Sequence, residues 1–82
     1  MMMQKQKITV VELKWFDDGG FKEIKRYEVS VTSTRGLRML CSRRGIKNAD
    51  FFVGAREIGY VRQLLDGSLY FWLYGSLFCY WL

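Results

Sequence analysis

The chain of 82 residues has no histidine, no proline and only two cysteines, Cys41 and Cys79. Without histidine, the side chain that most often serves as a general base near neutral pH is missing. Two cysteines are too few ligands for a zinc site, and they form no framework of paired disulfides. We therefore predict a protein that is not an enzyme and that uses no metal and no cofactor.

Other catalytic and targeting signals are also scarce. The carboxylates are scattered singly apart from Asp17-Asp18, which precede Gly19-Gly20 and indicate a turn. Because these glycines lie in a turn and do not open a helix, they form no phosphate-binding loop. Residues 1–7 lack the apolar core of a signal peptide, which favours a cytoplasmic location.

Positive charge and hydrophobic residues dominate what is present. Thirteen Lys and Arg oppose eight Asp and Glu, for a net charge of +5, and half of the residues are hydrophobic. The charge suits a phosphate backbone, an anionic membrane surface or an acidic host protein as partner. The length predicts one domain over residues 1–82, with residues 1–6 as a disordered tail.

The N-terminal part reads as a β-hairpin. Residues 7–15 and 21–32 are rich in β-branched side chains, and Asp18-Gly19 suits a two-residue loop between them. This loop predicts a register that joins apolar or oppositely charged partners. The predicted pairs are Phe16 with Phe21, Lys14 with Glu23, Glu12 with Lys25 and Val10 with Tyr27.

A helix is predicted next. Ser33-Thr34 are good N-cap residues, and Gly45 stands where a glycine ends a helix. Leu37, Leu40 and Cys41 form its apolar face. Between positions 35 and 47 the chain carries five basic residues and no acidic one, a pattern open to two interpretations, a solvated face or a polyanion-binding face. The five are Arg35, Arg38, Arg43, Arg44 and Lys47.

Residues 48–65 have apolar positions at helical spacing, namely Ile58, Val61, Leu64 and Leu65. We predict one kinked helix or two short ones, separated at Gly54-Ala55; a strand that turns at Asp66-Gly67 is the competing interpretation. The predicted fold class is α+β, with an N-terminal hairpin, a central helical segment of one kinked or two to three short helices, and an aromatic C-terminal hairpin.

The last fourteen residues, 69–82, carry no charge. They are too few for a membrane-spanning helix, which needs ~20 residues, so no span is predicted. Gly75-Ser76 suits a hairpin turn that separates a core-like face from an aromatic face. The aromatic face consists of Tyr70, Trp72, Tyr74 and Trp81.

Residues 37–67 resemble the helix-turn-helix of phage Cro and repressor proteins. The segments that carry the resemblance are Gly45-Ile46, Gly54-Ala55 and Gly59-Tyr60-Val61-Arg62-Gln63-Leu64-Leu65-Asp66-Gly67. The second helix is about two residues shorter than in that family. The resemblance implies DNA binding through a third helix in the major groove. Its side chains toward the nucleic acid would be Arg56, Tyr60, Arg62 and Gln63.

Two functions follow as predictions. The first is a small basic nucleic-acid-binding protein, a phage or mobile-element regulator, in which the five basic residues of positions 35–47 neutralise phosphates. The alternative is a small protein-binding inhibitor or adaptor, such as an anti-CRISPR protein of phages, that occludes a host protein with the aromatic face. Tyr and Trp are enriched at binding hot spots, and a homodimer through the same face is a further prediction.

Overall fold

In a computed structural model that describes residues 5–74, the chain forms one antiparallel sheet with a helix on one side. The sheet has the strand order β2-β1-β3-β4-β5. The elements are β1 (Gln6–Phe16), β2 (Gly20–Val31), α1 (Thr34–Arg44), β3 (Ala49–Val53), β4 (Arg56–Gln63) and β5 (Leu69–Leu73). No helix in this part of the chain is long and apolar enough to cross a membrane.

The predicted fold class is wrong in its central segment. After Gly45 the chain forms strands β3 and β4, so α1 is the single helix of residues 5–74, and the competing strand interpretation describes β4. The helical spacing of Ile58 and Val61 comes from a β-bulge, because Phe51 pairs with Gly59 whereas Phe52 pairs with Glu57. The extra residue lets two side chains three positions apart both reach the core.

The N-terminal hairpin forms, but half of its predicted register is wrong. Glu12 pairs with Lys25 and Val10 with Tyr27, as predicted, whereas Trp15 pairs with Phe21 and Phe16 with Gly20. The turn holds three residues instead of two, because Gly20 takes the left-handed conformation, with φ at 75°. A register shift beside Glu12 then restores the predicted pairing. The strand β1 already begins at Gln6, within the segment predicted as a tail.

The predicted helix and its caps are confirmed. The Oγ of Ser33 accepts a hydrogen bond from the backbone N–H of Gly36 at 3.0 Å. At the other end Gly45 has φ at 68°, and the N–H groups of Gly45 and Ile46 donate to the carbonyls of Ser42 and Cys41. This is a Schellman motif, which ends the helix and turns Ile46 into the core.

The core lies between α1 and one face of the sheet. Leu37 and Cys41 of the helix meet alternate residues of the strands, and Phe71 and Leu73 of β5 pack against this cluster. The residues on the sheet and in the turn after α1 that are buried in the cluster are Ile8, Val10, Val29, Val31, Ile46, Ala49, Phe51, Ile58 and Val61. Of the predicted C-terminal hairpin, β5 is present and pairs with β4; its turn and second strand lie outside the described residues.

Candidate nucleic-acid interface

The sheet has two faces of different character. We call the face covered by α1 the helix side, and the opposite face of β3, β4 and β5, together with the hairpin end that bends over it, the open face. Side chains alternate between the two faces along each strand. The open face carries Trp15, Phe21, Asp50, Phe52, Tyr60, Arg62, Tyr70, Trp72 and Tyr74, the residues that alternate with the buried set.

The five basic residues predicted as a phosphate-binding set all lie on or just after α1, and all five are exposed. Within residues 5–74 the ion pairs join Lys22 to Asp18, Arg26 to Glu23 and Arg62 to Asp50, so none of them neutralises the helix cations. The helix side therefore carries a rim of cations without ion-pair partners among the described residues.

Two of these cations are placed by aromatic rings. The guanidinium carbon of Arg38 lies 5.7 Å from the ring centre of Phe71, and that of Arg44 lies 5.3 Å from the ring centre of Tyr27. Cation–π contacts of this kind hold a guanidinium over a ring and leave its edge donors free for phosphate oxygens.

Lysines of the N-terminal hairpin belong to the same surface, and the sequence analysis missed them. Lys14 has the strand parity of Val10, and its Nζ lies 5.7 Å from the Phe16 ring centre. Lys25 places its Nζ 5.3 Å from the Tyr27 ring centre. Alternation along β1 was the signal for Lys14, because every second residue after Val10 shares its face, and the predicted pairing with Glu12 was the signal for Lys25.

Tyr27 ties the hairpin to the end of α1. Its hydroxyl donates a hydrogen bond to Oε2 of Glu12 at 2.6 Å. Burial, with support from this hydrogen bond, raises the pKa of Tyr27, so the phenol stays neutral and keeps donating. Because Lys25 and Arg44 both rest on this ring, the network brings cations from two elements together.

An open cavity of about 570 Å³ lies along one face of α1, from its first turn to its last. Its described lining residues are Thr34, Arg35, Arg38, Met39 and Ser42. Two guanidinium groups and two hydroxyls are donors that suit phosphate oxygens. The cavity thus adds a concave element to the exposed cations of the helix.

The residues assigned to a recognition helix lie elsewhere. Arg56, Tyr60, Arg62 and Gln63 are on strand β4, so the structure does not contain the helix that was predicted to present them. Arg62 donates to Oδ1 of Asp50 at 2.8 Å and to the carbonyls of Ala49 and Val61 at 3.0 and 2.8 Å. Its guanidinium is therefore committed within the protein, on the face opposite the helix cations.

The predicted aromatic face is present over its described part. Tyr70, Trp72 and Tyr74 point to the open face and keep 43%, 44% and 45% of their surface exposed. Trp81 lies outside the described residues. Partial desolvation and the nearby Glu57 raise the pKa of Tyr74, so its hydroxyl is neutral at physiological pH.

Compared with known protein families, with curated proteins and with solved structures, the chain shows no significant match. In residues 5–74, no three His, Cys, Asp or Glu side chains come together as ligands for a metal ion.

Proposed function

We propose that the protein binds nucleic acid through the helix side. The observation that carries the proposal is the rim of cations that have no ion-pair partner among residues 5–74. The rim consists of Lys14, Lys25, Arg35, Arg38, Arg43, Arg44 and Lys47.

The chemistry of these groups favours a phosphate backbone. Arginine binds phosphate oxygens with two parallel hydrogen bonds, and neutralised phosphates release condensed counterions into solution. Contacts to phosphates fix the position of a protein on its ligand but read no base sequence. We therefore expect binding with little sequence preference and a steep dependence on salt.

The test is a salt-titrated binding assay with labelled oligonucleotides. Each phosphate contact contributes a slope of about −0.7 to −0.9 in log K against log salt. The double variant Arg38→Gln/Arg43→Gln should therefore bind more weakly and lose roughly 1.4 to 1.8 of that slope.

A matched control removes the same charge from the other face. Lys5→Gln/Lys7→Gln also lowers the net charge by two, from +5 to +3, but both exposed lysines have the strand parity opposite to the buried Ile8 and neither belongs to the rim. This variant should bind nearly as the wild type does. Equal losses in the two variants would assign binding to net charge alone, and wild-type protein that binds no oligonucleotide at low salt would refute the proposal.

A second candidate function is that of a protein-binding inhibitor or adaptor. The half-exposed rings of Tyr70, Trp72 and Tyr74 favour this function, because Tyr and Trp are enriched at the hot spots of protein interfaces. The test is affinity capture from nuclease-treated bacterial lysate. This function is supported if the wild type and Arg38→Gln/Arg43→Gln capture a stoichiometric protein partner that Trp72→Ala does not capture. If no protein partner is captured and the wild type binds nucleic acid, this function is rejected.

A further inference from the structure

We propose that the aromatic rings of β4 and β5 on the open face stack on unpaired nucleobases, so that the ligand is single-stranded nucleic acid. This inference rests on the proposed function and specifies its ligand. It assigns a second contact surface to the protein, distinct from the rim of cations on the helix side.

The rings form a continuous platform. Tyr60 lies 6.3 Å from Tyr70 and 6.2 Å from Tyr74, and Trp72 lies 6.4 and 6.5 Å from Tyr70 and Tyr74, measured between ring centres. The planes of Tyr70 and Trp72 are within 7° of parallel. Stacking on a base needs an accessible ring face, so a flat base can lie over this half-exposed parallel pair.

The platform has a rigid support. The guanidinium carbon of Arg62 lies 5.0 Å from the ring centre of Tyr60 and 5.1 Å from that of Phe21. Its salt bridge to Asp50, at 2.8 Å, is only about a quarter exposed. Because Arg62 is fixed by this pair and by two backbone carbonyls, the ring of Tyr60 is held in place and little ordering is needed before a base can stack.

The charges of the open face do not oppose a polyanion as strongly as their number suggests. Asp50 is paired with Arg62, and Glu23 is paired with Arg26 at 2.8 Å, which lowers the pKa of Glu23. Glu57 also lies on this face, beside Tyr74, and its charge opposes a polyanion at that end of the platform. The exposed rings also carry donors at their edges, the tyrosine hydroxyls and the Trp72 indole N–H, which can reach base edges. The ring of Tyr74 stands at 65° to Tyr60 and at 79° to Trp72, so the half-exposed parallel pair of Tyr70 and Trp72 is the part of the platform that suits a flat nucleobase.

Strand β5 connects the two contact surfaces. Tyr70 and Trp72 point to the open face, whereas Phe71 between them faces the helix side and lies 5.7 Å from the Arg38 guanidinium. Single strands are bound by pairing cations along the backbone with aromatic rings under the bases. A duplex keeps its bases within its own stack and is too stiff to follow a single β-strand, so it can use the cations alone.

The experiment compares a single-stranded oligothymidylate of about 12 nucleotides, within the site size of small binding domains, with a duplex of the same length. The wild type should bind the single strand at least about tenfold more tightly. Trp72→Ala should lose at least about fivefold of the single-strand affinity without a change in salt slope or in duplex affinity, and Trp72→Phe should retain most of it.

The control is Ile24→Ala, which removes another half-exposed apolar side chain, 56% exposed, from the far edge strand. It should leave both affinities unchanged. If Trp72→Ala does not fold, as judged by circular dichroism, Tyr70→Ala replaces it, since that ring is equally exposed and packs less surface.

The outcomes separate this inference from the proposed function. No binding to either oligonucleotide refutes both. Equal, salt-dependent binding of the two oligonucleotides with no effect of Trp72→Ala refutes base stacking and leaves the helix-side function standing. In a further outcome, the wild type sediments as a dimer, whereas Trp72→Ala is a monomer with unchanged oligonucleotide affinity. This result would assign the open face to self-association and overturn the inference.

Discussion

The helix side and the open face are made by alternate residues of the same strands, yet they differ in packing and charge. On the helix side, Ile8, Phe51 and Val61 are fully buried in the core under α1, and the exposed rim carries cations without an ion-pair partner among residues 5–74. On the open face, Tyr70 and Trp72 remain half exposed and Arg62 is paired. Covering one face with a helix therefore buries the apolar residues that stabilise the fold and leaves the exposed rings on the opposite face from the rim of cations.

The difference has an energetic basis. Burial of apolar side chains under α1 is the main favourable contribution to folding. A half-exposed ring keeps much of its surface in water, so it contributes less to stability and retains surface that a ligand can still cover. We expect substitutions in the buried core to change stability, and substitutions of the exposed rings or of the rim cations to change binding.

The largest effect is expected from Phe51→Ala. Phe51 is 0% exposed and packs against Phe71 at 5.4 Å between ring centres, so its removal should lower the free energy of unfolding by about 3–5 kcal/mol. Trp72→Ala, at 44% exposure, should cost clearly less. Urea denaturation of both variants measures the two values, and equal losses would contradict the division between the faces.

The next effect concerns the close approach of β4 and β5 on the helix side. A Cβ at Gly59 would meet the carbonyl oxygen of Trp72 and lie 2.6 Å from Cδ2 of Leu73. Because the backbone cannot yield cheaply, Gly59→Ala should cost about 3 kcal/mol. The matched control is Gly36→Ala in α1, where the nearest atom is 3.4 Å away and helix propensity favours alanine by about 0.5–1 kcal/mol. Thermal unfolding that shows Gly59→Ala to be neutral would refute this packing.

The pH dependence of folding stability tests whether α1 excludes water from the face that it covers. Burial raises the pKa of the Cys41 thiol from 9.0 to about 11. Between these values the unfolded chain loses a proton that the folded chain keeps, so stability should fall as pH rises from about 9 to about 11, by about 2 kcal/mol in total.

This prediction is measured as the change in urea midpoint with pH in a Cys79→Ser background. Cys41→Ala in the same background is the control and should lose this component of the pH dependence. Identical pH profiles for the two proteins would mean that the thiol is not desolvated by α1.

The smallest effect on stability is expected from the N-cap of α1. Ser33→Ala removes the hydrogen bond from the Gly36 N–H and should cost about 1 kcal/mol. Ser33→Asp keeps an acceptor at the cap and should restore stability. Thermal unfolding distinguishes the two variants. An unchanged midpoint for Ser33→Ala would show that the packing of α1 on the core does not depend on this cap.

Local chemistry was enough to predict several elements. Ser33 and Gly45 mark the ends of α1 because capping depends on a few neighbouring backbone groups, and the prediction of both was confirmed. Alternation identified β1, β2 and the two faces of β5. The exposure of Arg35, Arg38 and Arg43 on the helix was likewise predictable from helical spacing.

The errors arose where long-range pairing changes the local pattern. The bulge at Ile58 gives a strand the apolar spacing of a helix, and it exists because β4 pairs with β3. The left-handed Gly20 lengthened the turn by one residue, which the residue types Asp-Gly-Gly do not specify. That α1 covers the face shared by Lys14 and Lys25 could not be predicted without the tertiary packing.

The amino-acid order alone thus specifies one capped helix, a hairpin with alternating faces, a basic segment and an uncharged aromatic terminus, because each depends on neighbours in the chain. Which face of the sheet α1 covers, and hence the separation of cations from exposed rings, depends on contacts between residues distant in sequence. The pairing of Arg62 with Asp50 likewise requires β3 beside β4. Tertiary packing, by burying one face and leaving the other to solvent, decides where a ligand can bind.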